Sequence, residues 1–195
     1  MILYPNGMKL IIGLGNPGKE YEHTRHNVGW DAVVGLAENL RAKFRTKKEW
    51  KAEVADAHLD GQKVALVLPL TFMNLSGEAV QKIAAFYKVA HENILIVHDE
   101  MDYPVGEAAF LKRGGPAGHN GVESVQQTLG TKDLARLRIG IGRPMAPIKK
   151  EDYVLQHFSA DERKRALPAI EKAVRGSQTW IAEGIDKAMN TWNGV

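Results

Sequence analysis

His26 and Asp99 are the residues whose types and positions best suit acid–base chemistry in this chain. His26 lies in the polar run Lys19 to Asn27, which follows the apolar stretch Leu10-Ile11-Ile12 and the glycine-rich turn Gly13-Leu14-Gly15-Asn16-Pro17-Gly18. Asp99 lies within His98-Asp99-Glu100, at the carboxyl edge of the apolar stretch Ile94-Leu95-Ile96-Val97. A carboxylate that takes one imidazole N–H fixes the tautomer and stabilises the imidazolium, which leaves the other ring nitrogen free to take a proton from water. General-base assistance of this kind is worth roughly 10² to 10⁴ in rate. A lone histidine is more often structural, and the chain has 7. His26 is set apart by its place in a polar loop beside the first strand. No serine occupies a G-x-S-x-G elbow, which favours direct attack by water over an acyl-enzyme.

Asn16, Asn74 and Asn120 fall in separate loops, and any one of them could simply serve a turn or a helix cap. Gathered around a His–Asp pair, their amides would offer neutral donors and acceptors to a peptide backbone, a scissile carbonyl and a water. Met73 and Phe72 could add an apolar wall, although packing in the core is the commoner use of a phenylalanine. The absence of cysteine removes disulfides, thiolate nucleophiles and cysteine-ligated zinc. No H-E-x-x-H occurs, and His98-Asp99-Glu100 would project neighbouring side chains to opposite faces of a strand, so no metal is expected. Gly13 to Gly18 does satisfy G-x-G-x-x-G, the fingerprint of a dinucleotide site. That site needs the glycines to open a helix directly and an acid to end a second strand about 20 residues on. Residues 19–27 have no apolar face of helical period, and Asp31 and Glu38 fall inside an amphipathic helix. The glycines therefore shape a loop that presents Asn16 and His26, and no cofactor is expected.

These residues must be positioned by alternating strands and helices. A buried strand is predicted at 9–14, followed by a helix with Val33, Leu36, Ala37, Leu40 and Phe44 at helical spacing. Trp50 to Leu59 and Lys63 to Leu68 read as strands joined at Asp60-Gly61, a strong hairpin signal. Ser76 is expected to cap a helix whose Val80, Ile83, Ala84 and Tyr87 face inward. Further strands are predicted at 94–97, 107–112 and 136–141, with a helix at about 121–129 after the second glycine-rich loop, Gly114 to Gly121. Pro144 to Lys150 reads as a proline-containing connection. Ser159 and Glu162 fit a capping box for a long helix with Leu167, Ile170, Val174 and Ile181 on one side. The alternation argues for an α/β fold: a single domain with a twisted mixed sheet, mostly parallel in its core, and helices on both faces. Ligands bind such sheets beyond the carboxyl ends of the parallel strands, where Asn16 and Asp99 both fall.

A length of 195 residues with 44% hydrophobic and 25% charged residues suits one globular domain, expected over residues 8–195, with residues 1–7 as an extension outside the fold. No apolar run long enough to cross a membrane occurs, and the start lacks the pattern of a signal peptide, so a cytoplasmic protein is expected. The formal net charge is only +3, but the basic residues cluster. Arg41, Lys43, Arg45, Lys47, Lys48 and Lys51 form one group, Lys112 and Arg113 another, and Arg136, Arg138 and Arg143 a third. Separate cationic patches on a nearly balanced chain suit a polyanion touched at a few phosphates.

With these residues assembled, the chain closely resembles the bacterial peptidyl-tRNA hydrolase family. The motifs are G-L-G-N-P-G-x-x-Y-x-x-T-R-H-N-x-G at 13–29, P-x-T-F-M-N-x-S-G at 69–77, H-D-E at 98–100, G-H-N-G at 118–121 and R-L-R-I-G-I-G-R-P at 136–144. The resemblance implies hydrolysis of the ester between a nascent peptide and the 3′ ribose of tRNA, recycling tRNA after abortive translation, by a monomer needing neither metal nor cofactor. It implies His26 as catalytic base and Asp99 as the group that orients it. Asn16, Tyr21, Met73, Asn74 and Asn120 match substrate-binding positions, and Lys112, Arg113 and Arg138 match positions suited to the tRNA 5′ phosphate and acceptor stem. Pro116-Ala117-Gly118 departs from the paired glycines of many relatives, which stiffens that loop. A noncatalytic RNA-binding relative and a nucleotide-dependent oxidoreductase are the competing readings; retention of His26, Asp99 and Asn16 favours the enzyme over the first.

Overall fold

The computed structural model describes residues 7–194. Its centre is the apolar stretch that opens the chain. Leu10, Ile11 and Ile12 have no exposed surface, as expected of a strand covered on both sides. This strand, β1 (Lys9–Gly13), lies between β4 (Gln62–Pro69) and β5 (Ile94–Glu100), parallel to both. On one side β4 continues antiparallel through β3 (Ala52–Leu59) to β2 (Arg45–Lys47). On the other, β5 pairs parallel with β7 (Ala135–Gly140), which pairs antiparallel with the edge strand β6 (Ala108–Leu111). The sheet is thus seven-stranded in the order β2-β3-β4-β1-β5-β7-β6.

Alternation along the strands sends side chains into two cores. Ile11, Leu66, Leu95, Val97 and Leu137 meet α1 (Val28–Asn39), α5 (Ala160–Glu183) and α6 (Ile185–Trp192). Leu10, Ile12, Val67, Ile94 and Ile96 meet α2 (Ser76–Tyr87) and α3 (Asn120–Leu129). Each such side chain removed from water contributes about 1.5–3 kcal/mol. The expected single α/β domain with a mixed, mostly parallel sheet and helices on both faces is the fold observed. The hairpin turns at Asp60-Gly61, both with positive φ, and the Ser159–Glu162 capping box is formed in both directions.

Several local expectations are corrected. α1 stops at Asn39 and the chain reverses through Arg41, at φ 53, so Phe44 packs on the first core from outside the helix. The basic run that follows contains β2, a charged edge strand with no apolar alternation to announce it. Trp50 belongs to a 3-10 turn before β3 rather than to the strand. Ser76 is the first residue of α2, not its cap, and its hydroxyl donates to the Met73 carbonyl at 2.8 Å. Leu167 is 44% exposed while Ile170, Val174 and Ile181 are buried, because the inward stripe of α5 is narrower than the apolar pattern. The Pro144–Lys150 connection leads into a short helix, α4 (Lys150–Val154). Of the proposed extension, residues 1–6 lie outside the described residues; Gly7 is tied to the sheet, its carbonyl accepting from Gln62 Nε2 at 2.6 Å.

Candidate active site

The site begins with a helix set directly against the sheet. A Cβ on Gly13 would come 2.7 Å from the Gly29 carbonyl oxygen, and one on Gly29 would collide with the Val97 and Leu14 carbonyls. Only glycines permit that approach, and it draws the turn before α1 over the carboxyl ends of β1 and β5. This turn, Arg25–Asn27, is a buried 3-10 segment. Arg25 anchors it from below: its guanidinium donates to the His157 carbonyl at 3.0 Å and to Glu162 at 2.8 Å, and stacks 4.2 Å from the Tyr153 ring. The helix that a dinucleotide pyrophosphate would need after Gly18 does not begin until Val28.

His26 is thereby brought to Asp99. Its Nδ1 lies 2.8 Å from Asp99 Oδ1, with the residues 9% and 4% exposed. Asp99 is inside β5 rather than beyond its end, so its backbone is fixed by the ladder to β7. A second imidazole, absent from the sequence reading, meets the same oxygen: His119 Nε2 is also 2.8 Å from Asp99 Oδ1. The other nitrogen of His119 caps α3, accepting from the N–H groups of Gly121 and Val122. A nitrogen that accepts there carries no hydrogen, so Nε2 does, and His119 is held as a donor to Asp99. His98, on the opposite face of the strand, packs edge-on against His119 with ring centres 4.7 Å apart. Its Nδ1 is 2.6 Å from the Asp99 carbonyl, which leaves Nε2 buried without a partner.

These contacts set the charges. Burial alone would lower the His26 pKa, but the adjacent Asp99 charge and its hydrogen bond together raise it above the ordinary histidine value. Burial opposes the ionisation of Asp99, and the two histidines outweigh it, holding the carboxyl well below the usual carboxylate range. Burial, with His119 and Arg136 nearby, pushes His98 well below the ordinary histidine value. With Nδ1–H of His26 given to Asp99, Nε2 is left with a lone pair.

Asn16 is fixed by reciprocal bonds that the sequence did not announce. Its backbone N–H donates to Asn27 Oδ1 and its carbonyl accepts from Asn27 Nδ2, each at 2.9 Å. Its own Oδ1 accepts from the Met73 N–H at 2.8 Å, so the amide nitrogen is the end left over, a donor of set direction. Met73 is 5% exposed and its sulfur sits against Gly121, which ties the Thr71–Leu75 loop to the start of α3. Asn74 and Phe72 are exposed on that loop. Asn120 lines a cleft of about 150 Å³ together with His26, Asp99, Glu100, His119 and, from α4, Lys150 and Val154.

The remaining predicted residues lie outside that cleft. Tyr21 forms the end of a 3-10 turn, where its carbonyl accepts from Thr24, and it does not line the cleft. Lys112 pairs with Asp186 of α6 at 2.8 Å, Arg113 is exposed, and Arg138 stacks 4.5 Å from the Tyr103 ring and lies 3.7 Å from Glu100. His26, Asp99 and His119 also place one donor atom each within 4.8 Å, a grouping suited to a metal that no sequence motif signalled. Both ring nitrogens facing Asp99 Oδ1 are engaged with that oxygen, and one that donates a hydrogen has no lone pair for a cation.

A mixed α/β sheet that holds a buried histidine–carboxylate pair at the rim of its parallel strands is an arrangement able to move a proton to or from a bound group. Comparison with known proteins narrows this. The sequence profile described as peptidyl-tRNA hydrolase matches residues 10–195, and the chain belongs to that family. It is 44% identical to the peptidyl-tRNA hydrolase of Desulfitobacterium hafniense and 39% to that of Shouchella clausii, in each case over 95% of this chain and all of the relative. The crystal structure of peptidyl-tRNA hydrolase from Acinetobacter baumannii superposes with a TM-score of 0.91 at 35% identity, covering 96% of this chain and 95% of that one.

Proposed function

We propose that this chain hydrolyses the ester between a peptide and the 3′ ribose of tRNA, with His26 as general base. The observation that carries the reading is the 2.8 Å contact between His26 Nδ1 and Asp99 Oδ1, which turns Nε2 toward the cleft with its lone pair free. In this mechanism Nε2 takes a proton from water as the water oxygen attacks the acyl carbonyl. The imidazolium, steadied by Asp99, then returns the proton to the ribose oxygen as the ester bond breaks. Negative charge on the carbonyl oxygen meets fixed amide N–H donors, of which Asn16 Nδ2 is the best oriented. Asn74 and Asn120 bind the peptide end, Met73 backs it, and Tyr21, outside the cleft, contacts the substrate farther from the ester. Lys112, Arg113 and Arg138 hold phosphates of the acceptor arm; the Lys112–Asp186 pair is exposed, so little is lost when it opens.

Residues 8–195 act as one unit in this reading, as a cytoplasmic monomer without metal, because the protonated ring nitrogens already satisfy Asp99. No described helix is long and apolar enough to cross a membrane. The test is single-turnover cleavage of N-acylated aminoacyl-tRNA by His26→Ala, with and without a chelator. Turnover is expected to fall by roughly 10² to 10⁴ while tRNA binding survives and the chelator changes nothing. Near-normal turnover in the variant removes His26 as the base, and RNA binding by the unaltered protein with no turnover makes it a noncatalytic RNA-binding relative.

A further inference from the structure

One side of the candidate active site carries large apolar side chains in the open. The 3-10 turn Met73–Leu75 leads straight into α2. Met73 is buried there, but its neighbour Phe72 is 58% exposed and Leu75 44%. From Leu75 a stripe of helical spacing runs through Glu78 and Lys82 to Phe86, which is 63% exposed. The turn Lys48–Trp50 and the adjoining Lys51 are drawn against this stripe. Lys51 Nζ meets Glu78 at 2.9 Å, Lys82 Nζ donates to the Glu49 carbonyl at 3.3 Å, and the Lys51 carbonyl accepts from the Leu70 N–H at 2.7 Å. At the far end the Trp50 ring lies 4.7 Å from that of Phe86 and 5.7 Å from that of Tyr87. Phe86 and Tyr87 meet edge-on at 5.0 Å. Trp50 and Tyr87 pack on the second core, so Phe86 rests on a fixed aromatic shelf with its outer side in water. Contiguous apolar surface left in that state marks a place where a ligand lies.

The strand order indicates which ligand. Lys112, Arg113 and Arg138, the cations assigned to the acceptor arm, belong to β6, its end and β7, on one flank of the sheet. The cleft lies over the middle, beyond β1 and β5, and β4 with the Thr71–Leu75 loop lies on the other flank. With RNA on the first flank and the ester at His26, the acyl chain leaves across the second. We infer that the face formed by α2 and the Lys48–Lys51 turn is a track for the distal residues of the substrate's peptide, from Leu75 to the shelf of Trp50, Phe86 and Tyr87. The helical rise of about 1.5 Å per residue puts Phe86 about 16 Å beyond Leu75, the reach of about five extended residues. Aromatic faces and lysine stems accept many side chains without reading their order, which suits a peptide of no fixed sequence. RNA is disfavoured here because Lys51 and Lys82 are already engaged by Glu78 and the Glu49 carbonyl. This inference rests on the function proposed above and extends its substrate site outward from the ester.

The experiment compares hydrolysis of tRNA bearing one N-acetylated residue with that of tRNA bearing an apolar octapeptide, by the unaltered protein, Phe86→Ser and Phe86→Leu. Equilibrium binding of deacylated tRNA is measured beside it. In the unaltered protein KM is expected to be about fivefold lower for the octapeptide, the effect of partly burying one or two apolar side chains. Phe86→Ser should remove most of that advantage by raising the octapeptide KM while kcat holds, the mark of lost uniform binding. The KM of the N-acetylated substrate and the affinity for tRNA should stay as they were, and Phe86→Leu should keep most of the advantage. Equal KM for both substrates in the unaltered protein, or an advantage undiminished in Phe86→Ser, overturns the inference. Weakened tRNA binding by Phe86→Ser overturns it too and makes the face an RNA contact. If Phe86→Ser does not fold, Phe86→Gln decides on the same criteria. Failure of the unaltered protein to cleave either substrate strikes the proposed function itself, whereas indifference to peptide length strikes only the track.

Discussion

Asp99 and Glu100 are neighbours on one strand, yet they serve sites built on opposite terms. Asp99 receives an imidazole from each side, and its lowered pKa reflects a charge fully answered inside the protein. Glu100 leaves the strand on its other face, accepts the Asp102 N–H at 3.1 Å, lies 3.7 Å from Arg138 and reaches Arg136 only through its charge. The first arrangement is complete before substrate arrives, as catalysis by preorganised groups requires. The second leaves more positive than negative charge around Glu100. The two carboxylates thus differ in how fully the protein answers them, although both line the same cleft.

The strongest challenge to that contrast is Asp99→Asn. An amide at this position cannot hold Nδ1–H of His26 as a carboxylate does, so kcat should fall by roughly 10³ or more while tRNA affinity stays within a few fold. A loss below tenfold would mean that the oriented tautomer is not what drives the reaction. A smaller effect is expected from acid. His26 must be uncharged to accept a proton, and Asp99 raises its pKa, so kcat/KM should fall as pH drops from a point above the ordinary histidine value of about 6.5. The loss should approach about tenfold per pH unit, as a single proton demands. In the residual activity of Asp99→Asn this limb should move to lower pH, because burial then acts on the ring unopposed; a limb that stays in place would assign the titration to another group. The smallest change is expected from Glu100→Gln. Removing the shared carboxylate should cost the free protein about 1–3 kcal/mol in urea unfolding and leave tRNA binding equal or tighter at low salt. Weaker binding would show that Glu100 positions the guanidiniums rather than merely restraining them.

The layered fold was readable because its strands are short apolar runs separated by helical periods and strong turn signals. The pair His26 and Asp99 was readable for a related reason: each lies beside such a run, and the topology brings the carboxyl ends of β1 and β5 together. His119 was not, since a histidine is an unusual helix cap and only the folded loop shows both of its nitrogens employed. Asn27 escaped notice because its bonds to Asn16 connect backbone to side chain, which leaves no pattern in residue type. Arg136 was visible only as one member of a basic cluster. What distinguishes it, burial without an acceptor, depends on a glycine loop and a strand register far apart in sequence. β2 was missed because a charged edge strand carries no apolar alternation, and α6 because its apolar stripe, Ile185, Ala188, Met189 and Trp192, follows α5 with only Gly184 between them.

The contact between Gly13 and Gly29 has a reach greater than its size. Because bare backbone meets bare backbone there, the thickness of one interlayer seam decides how far the imidazole two residues before α1 can extend. The dyad is therefore gauged by atoms that take no part in any reaction. A single methyl group inserted in that seam would wedge helix from sheet and part His26 from Asp99 while leaving every polar side chain intact.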